Sequence, residues 1–284
     1  MPRLAVVLGL IVVVPAGAEV HSSRFASKAL GREISALVQL PPSYAASPGR
    51  RYPYVIVLHG LFESPGFWER RKLAPLLEQG WAEGRLPEFV LVAVDGGNSF
   101  YVNSPGGRFE DVVLEDAPAW IESTLRVHKG RAARGLWGVS MGGYASLRVA
   151  LSHPEAFAAV AAHSAMLLER IPSLEQGAGR WHMQAFSQVF GDPIDETLWS
   201  ANDPLRLALR AEPKGAPALF FDCGAQDRYG LARGNQALHR ALAARGIQHA
   251  FALPPGDHGY EYVLSVVENS LRFLGSALTP RSSR

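Results

Sequence analysis

Gly135-Leu136-Trp137-Gly138-Val139-Ser140-Met141-Gly142-Gly143-Tyr144-Ala145 is the stretch on which the fold turns. Gly135 to Val139 carries no charge and reads as a strand buried on both faces. Met141 to Leu151 reads as a helix, ended by His153-Pro154. Between them lies the pattern Gly138-x-Ser140-x-Gly142, in the strand–turn–helix setting that gives this pattern meaning. Such a turn is so tight that the serine must adopt strained dihedrals. Residues two before and two after it come close enough that a Cβ on either would clash, hence the glycines. The hydroxyl of Ser140 is then expected at the carboxyl edge of the sheet, where α/β folds bind ligands.

The same rhythm extends outward. Residues 33–40, Tyr54–Leu58, Phe89–Val94, Phe157–Ala162, Ala218–Cys223 and His249–Leu253 read as strands. Helical spacing is found over 67–79, 109–127, 231–245 and 259–274. Strands alternating with helices predict an α/β architecture, a mostly parallel sheet covered by helices on both faces. Residues 165–215 break the alternation and are expected to be an insertion over the carboxyl edge of the sheet. Within it Phe186, Trp181 and Trp199 either line an acyl pocket or pack the insertion down. The 284 residues suit one such domain over 19–284.

The chain has 28 Lys+Arg against 26 Asp+Glu, a net charge of +2 spread without a basic stripe, which argues against a nucleic-acid partner. With 48% hydrophobic residues it is not a disordered chain, and its single cysteine allows neither an intrachain disulfide nor a cysteine-rich metal module. No two histidines lie two to four residues apart, and no phosphate-cradling glycine motif occurs, so neither metal nor cofactor is expected. Residues 1–18 read as a secretory signal: Arg3, an apolar run from Leu4 to Val14, Pro15, then Ala16-Gly17-Ala18. The 11-residue run is too short to span a bilayer. The expectation is export to the periplasm or medium after cleavage near Ala18, with no membrane span in the mature chain.

A serine hydroxyl needs a base, and the base needs an orienting carboxylate. In this fold they follow the serine in the order acid, then histidine. Of the later histidines, His258 alone sits in a loop directly after the last strand, Pro254-Pro255-Gly256-Asp257-His258. Two carboxylates follow the preceding strand in Phe220-Phe221-Asp222-Cys223-Gly224-Ala225-Gln226-Asp227. Asp227, beyond the glycine, is the one with loop enough to reach His258; Asp222 is assigned a structural role as an acceptor of loop N–H groups. Oxyanion donors are expected from the N–H of Met141 and of Leu61, with Phe62 the second choice in His59-Gly60-Leu61-Phe62. His59 is expected to be structural. Phe62, Tyr101, Asn103 and Trp181 are candidate substrate contacts.

At these residues the chain resembles the esterase D family of α/β hydrolases, which includes S-formylglutathione hydrolases, feruloyl esterases and secreted mycolyltransferases. The similarity rests on Val38-Gln39-Leu40-Pro41-Pro42-Ser43-Tyr44, Leu58-His59-Gly60, Asn98 to Asn103, Gly138 to Tyr144, His153-Pro154 with Phe157, Gly224-x-x-Asp227 and Gly256-x-His258. The resemblance implies Ser140, Asp227 and His258 as a catalytic triad and Leu61 and Met141 as the oxyanion hole. It implies hydrolysis of a small-molecule carboxylic ester through an acyl-enzyme, or transfer of the acyl group to an alcohol. Two features depart from it. The export signal disfavours a cytosolic glutathione thioester role. Where the family often has a Trp shortly after the histidine, this chain reads Gly259-Tyr260-Glu261-Tyr262, so Tyr260 or Tyr262 must take that place.

Overall fold

A computed structural model describes residues 19–171 and 180–278, apart from the side chains of 180–182. The expected signal segment, the tail from Thr279 and the side chain of Trp181 lie outside the described residues.

The chain opens with an antiparallel pair, β1 (Glu19–Ser27) and β2 (Arg32–Leu40). There follow α1 (Ser43–Ala46), β3 (Tyr54–Leu58), α2 (Phe67–Arg70), α3 (Leu73–Ala82) and β4 (Val90–Val94). A small hairpin, β5 (Asn103–Ser104) and β6 (Gly107–Arg108), leads to α4 (Phe109–Asp111), a π-helical turn (Val112–Asp116) and α5 (Ala117–Thr124). Then come β7 (Arg134–Val139), α6 (Met141–Ser152) and β8 (Ala159–His163). Helices α7 (Arg180–Phe190), α8 (Glu196–Asn202) and α9 (Pro204–Ala208) precede β9 (Ala218–Asp222), α10 (Leu231–Ala244), β10 (His249–Ala252) and α11 (Tyr260–Ala277).

Eight strands form one sheet in the order β1-β2-β4-β3-β7-β8-β9-β10. β2 is antiparallel to β4, and every pairing from β4 to β10 is parallel. Side chains alternate across it, as a pleated strand requires. Val55 and Val57 of β3 face Leu73 and Leu77 of α3 and Val267 and Leu271 of α11. Tyr54, Ile56 and Leu58 face the other way, toward Val113, Ile121, Leu147 and Leu238. All five β3 residues are fully buried, and the four aliphatic ones, Val55 to Leu58, each contribute roughly 1.5–3 kcal/mol of apolar burial. This is the mostly parallel, helix-covered sheet expected from the alternation of elements, and it agrees with the α/β-hydrolase fold that the resemblance implies.

The connection from β3 runs to β4 on one side, and the chain then returns to β7 on the other. The carboxyl ends of β3 and β7 therefore part company, opening the crevice that α/β sheets use for ligands. The register Leu58↔Gly138 sets His59-Gly60 beside Ser140.

Several elements differ from their sequence-based expectation. β1 is absent from the pattern reading because it is an edge strand whose polar residues face solvent; only Phe25 and Ser27 are buried. The helix expected over 67–79 is broken at Lys72, whose φ of 62° is left-handed. That over 109–127 contains the π turn and ends at Thr124, with Leu125 extended. In the insertion, α9 packs against α6 and α10. Phe186 stacks on Phe100 at 4.9 Å, and Phe190 meets Trp199 edge-on at 4.9 Å. Phe186 and Trp199 are buried in this aromatic cluster, so they pack the insertion rather than line a pocket.

Candidate active site

Ser140 occupies the turn between β7 and α6 with φ 56° and ψ −113°, a conformation sterically costly for a side-chain-bearing residue. Its neighbours hold it there. Ser140 N–H donates to the His163 carbonyl at 2.9 Å, and its own carbonyl accepts from Tyr144 N–H at 2.9 Å and Met166 N–H at 3.1 Å. A Cβ on Gly138 would lie 2.1 Å from the Gly142 carbonyl oxygen, and one on Gly142 would lie 2.0 Å from that of Leu58. Both contacts are with backbone, which is the physical reason for glycine at each end of the motif.

His258 lies on the loop between β10 and α11, and its Nδ1 is 2.8 Å from Asp227 Oδ2. The Asp227 side chain is wholly buried while that of His258 is 16% exposed, so the imidazole alone reaches solvent. Asp227 Oδ1 accepts from Tyr229 N–H at 2.9 Å, and the Cys223 thiol approaches Oδ2 at 3.6 Å. With Oδ1 thus engaged, Asp227 presents Oδ2 to His258 Nδ1. Burial, and then the Asp227 charge, push the Cys223 thiol up, so it stays protonated. The acid and base loops are laced together. Gly224 lies so close to the base loop that a Cβ there would be 2.4 Å from the Gly256 carbonyl oxygen. Asp257 Oδ1 accepts from both Arg228 N–H at 2.7 Å and His258 N–H at 2.6 Å. The Arg228 hydrogen bond holds the Asp257 carboxyl down at about 2.

Ser140 and His258 open onto one cleft of about 230 Å³. Gly60, Leu61, Phe62 and Glu63 form its wall on the β3 side, where the Tyr260 ring packs against Phe67 and Arg71, and Tyr229 lines the cleft beside His258. Among the described residues no hydrogen bond joins the Ser140 hydroxyl to His258; in substrate-free sites this contact is commonly long and tightens with substrate. Met141 opens α6, where the first N–H groups have no helical partner. Phe62 N–H donates to Asn98 Oδ1 at 2.8 Å, whereas Leu61 N–H has no protein acceptor among the described residues. Leu61 is therefore the better placed of the two candidate donors. His59 is buried and structural: Nδ1 contacts the Gly60 carbonyl at 2.8 Å and Nε2 accepts from Gly96 N–H at 3.1 Å. Glu63 is held at the cleft wall by Arg70 at 2.7 Å and Arg71 at 2.6 Å.

Two expected substrate contacts are corrected. Tyr101 is fully buried, and its hydroxyl accepts from His59 N–H at 3.1 Å and donates to the Val94 carbonyl at 3.2 Å. Asn103 is turned to the start of α4, donating to Asp111 Oδ1 at 2.8 Å and accepting from Glu110 N–H at 3.0 Å. Neither lines the cleft, whereas Phe62 does and is 61% exposed. Asp222 also differs: its carboxylate is buried and receives Tyr262 O–H at 2.8 Å and His163 Nδ1 at 2.9 Å, side chains rather than loop N–H groups. Sequence reasoning missed Tyr229, whose ring stands edge-on to His258 at 4.8 Å; nothing in its surroundings in sequence signals that contact.

The family model described as "Putative esterase" matches residues 27–266. The chain belongs to this esterase family. An esterase of Mycobacterium tuberculosis is 26% identical over 261 residues, covering 83% of this chain and 54% of that protein. An S-formylglutathione hydrolase of Paracoccus denitrificans is 28% identical over 185 residues, covering 62% of this chain and 61% of that protein. The chain thus spans just over half the length of these esterase relatives. A solved ferulic acid esterase superposes with a TM-score of 0.77 at 24% identity, covering 92% of this chain and 99% of that one, a likeness of fold.

Proposed function

We propose that this esterase-family protein is an exported serine hydrolase that cleaves carboxylic esters through an acyl-enzyme. The observation that carries the reading is the Asp227–His258 pair, 2.8 Å apart, opening onto the same cleft as a serine held at φ 56°. In the first step Ser140 Oγ bonds to the ester carbonyl carbon while His258 Nε2 takes the hydroxyl proton. Asp227, on Nδ1, orients the ring and stabilises the imidazolium. The carbonyl oxygen becomes an oxyanion facing the N–H groups of Met141 and Leu61. Collapse breaks the C–O bond to the alcohol, which leaves with the proton from His258. Water then gives up a proton to His258 and attacks the acyl carbon; the bond from that carbon to Ser140 Oγ breaks, the acid leaves, and His258 returns its proton to Oγ. An alcohol in place of that water would give acyl transfer by the same steps.

Export rests on the pattern of residues 1–18. N-terminal sequencing of secreted material beginning at Glu19 is the expected result, and secreted chains retaining Arg3 would refute it.

The test of the chemistry is labelling with a fluorophosphonate, run beside turnover of esters of graded acyl length. Wild type should be labelled and Ser140→Ala should not, with kcat lowered by at least ~10³ in the variant. A Ser140→Ala protein that still labels or keeps a tenth of the activity overturns the assignment. The ratio of acid to new ester formed with added alcohol separates hydrolysis from transfer.

A further inference from the structure

Behind the cleft lies a second Asp–His–Ser line that reaches no solvent. Asp222 Oδ1 is 2.9 Å from His163 Nδ1, and His163 Nε2 is 2.7 Å from Ser270 Oγ. Ser270 also accepts from Trp137 Nε1 at 3.0 Å. Asp222 is 1% exposed, and His163 and Ser270 are fully buried. These are the residue types and spacings of a hydrolytic site, yet no substrate can enter. Buried polar groups are costly unless every member finds partners, and a satisfied network fixes one arrangement of the elements it joins.

What this network joins is each segment of the proposed triad. The His163 carbonyl receives the Ser140 N–H at 2.9 Å, so pinning the His163 ring pins the acceptor that holds the elbow. The Asp222 carbonyl receives Ser164 N–H at 2.8 Å, and five residues on from Asp222 the chain reaches Asp227. Tyr262 closes the circuit. Its hydroxyl donates to Asp222 at 2.8 Å, and its ring lies so close to Gly256 that a Cβ there would be 2.5 Å from Tyr262 Cδ2. Gly256 is two residues before His258 and passes its carbonyl to Gln226 N–H at 2.9 Å. Of the two tyrosines that follow His258, Tyr260 lines the cleft and Tyr262 is buried beneath it.

We propose that Tyr262, acting through its hydroxyl on the buried Asp222–His163–Ser270 network, is a positioning residue that holds the Ser140 elbow and the His258 loop in mutual register. It touches neither substrate nor reacting atoms. This rests on the serine-hydrolase reading, and the experiment separates the two. Tyr262→Phe keeps the ring against Gly256 and removes one hydroxyl. Sites are first counted by a fluorophosphonate burst, then kcat and KM are measured per labelled site, well below the melting temperature. Positioning predicts that kcat per site falls about tenfold with KM within twofold of wild type, since small misplacements of reacting groups act on the chemical step. His163→Gln, which can reach Ser270 but not Asp222, should lower kcat per site by a similar factor. If either variant merely melts earlier and loses countable sites while kcat per site is unchanged, the network is only structural and the proposal fails. Loss of labelling in wild type would instead refute the hydrolase reading itself.

Discussion

Asp227→Asn is the most informative single substitution at the cleft. The carboxylate lies 2.8 Å from His258 Nδ1 and is wholly buried. Proton transfer from Ser140 makes the imidazole a cation only on the way to the transition state. At 2.8 Å and an effective dielectric of 20, two unit charges attract by about 6 kcal/mol. Loss of a term of that size corresponds to about 10⁴ in rate. The amide also reverses the donor pattern. Its oxygen can still accept from Tyr229 N–H, which leaves NH₂ facing His258. The ring must then accept at Nδ1 and carry its proton on Nε2, where it cannot take one from serine. The expected outcome is kcat lower by about 10⁴ with KM little changed and an unaltered circular dichroism spectrum. The assay is ester turnover per folded molecule across pH. Retention of a tenth of wild-type kcat, or equal loss from folded Asp222→Asn with Asp227→Asn active, would refute the assignment of Asp227.

Further outcomes follow from individual contacts. Gly138→Ala sets a Cβ 2.1 Å from the Gly142 carbonyl oxygen, and should cost about 1–3 kcal/mol or more and lower kcat at least ~10-fold, read by thermal unfolding and turnover. Glu110 is desolvated by burial, which alone would raise its pKa, but His153 and the buried Arg148 outweigh this and hold it at about 2 against 4.5. A folded-state value below the unfolded one gives stability that is present above about pH 4.5 and lost as pH falls through 2. The loss should be about 3 kcal/mol, seen as a urea midpoint gap between wild type and Glu110→Gln that narrows from pH 5.5 to acid. A constant gap would show that Arg148 is satisfied without that charge. Cys223 is fully buried and its thiol pushed up, so iodoacetamide should modify it only after unfolding. Labelling of the native protein at a comparable rate would contradict this.

Much was decided locally and could therefore be read from residues in order. The elbow motif, the buried strand before it and the helix after it are legible in consecutive residues, because steric exclusion at Gly138 acts within one turn, whereas Gly142 is crowded by the Leu58 carbonyl of β3, which only the tertiary structure shows. The choice of His258 and of Asp227 followed from chain order and loop length. Glycine at 224 lets the acid loop approach the base loop at Gly256. What sequence could not supply were roles set by partners far away along the chain. Tyr101 and Asn103 have the chemistry of substrate contacts and follow a central strand. They are instead consumed by His59, Val94, Glu110 and Asp111. Asp222, His163 and Ser270 match hydrolytic residue types but are buried where α11 packs on β8 and β9, a fact of packing alone. β1 has too few apolar positions to announce itself and is a strand only because β2 supplies the ladder. Periodicity and turn chemistry fix elements whose cause lies within a few residues. Which of two chemically equivalent side chains meets solvent depends on closure of the sheet and its helices, and only the tertiary structure contains that.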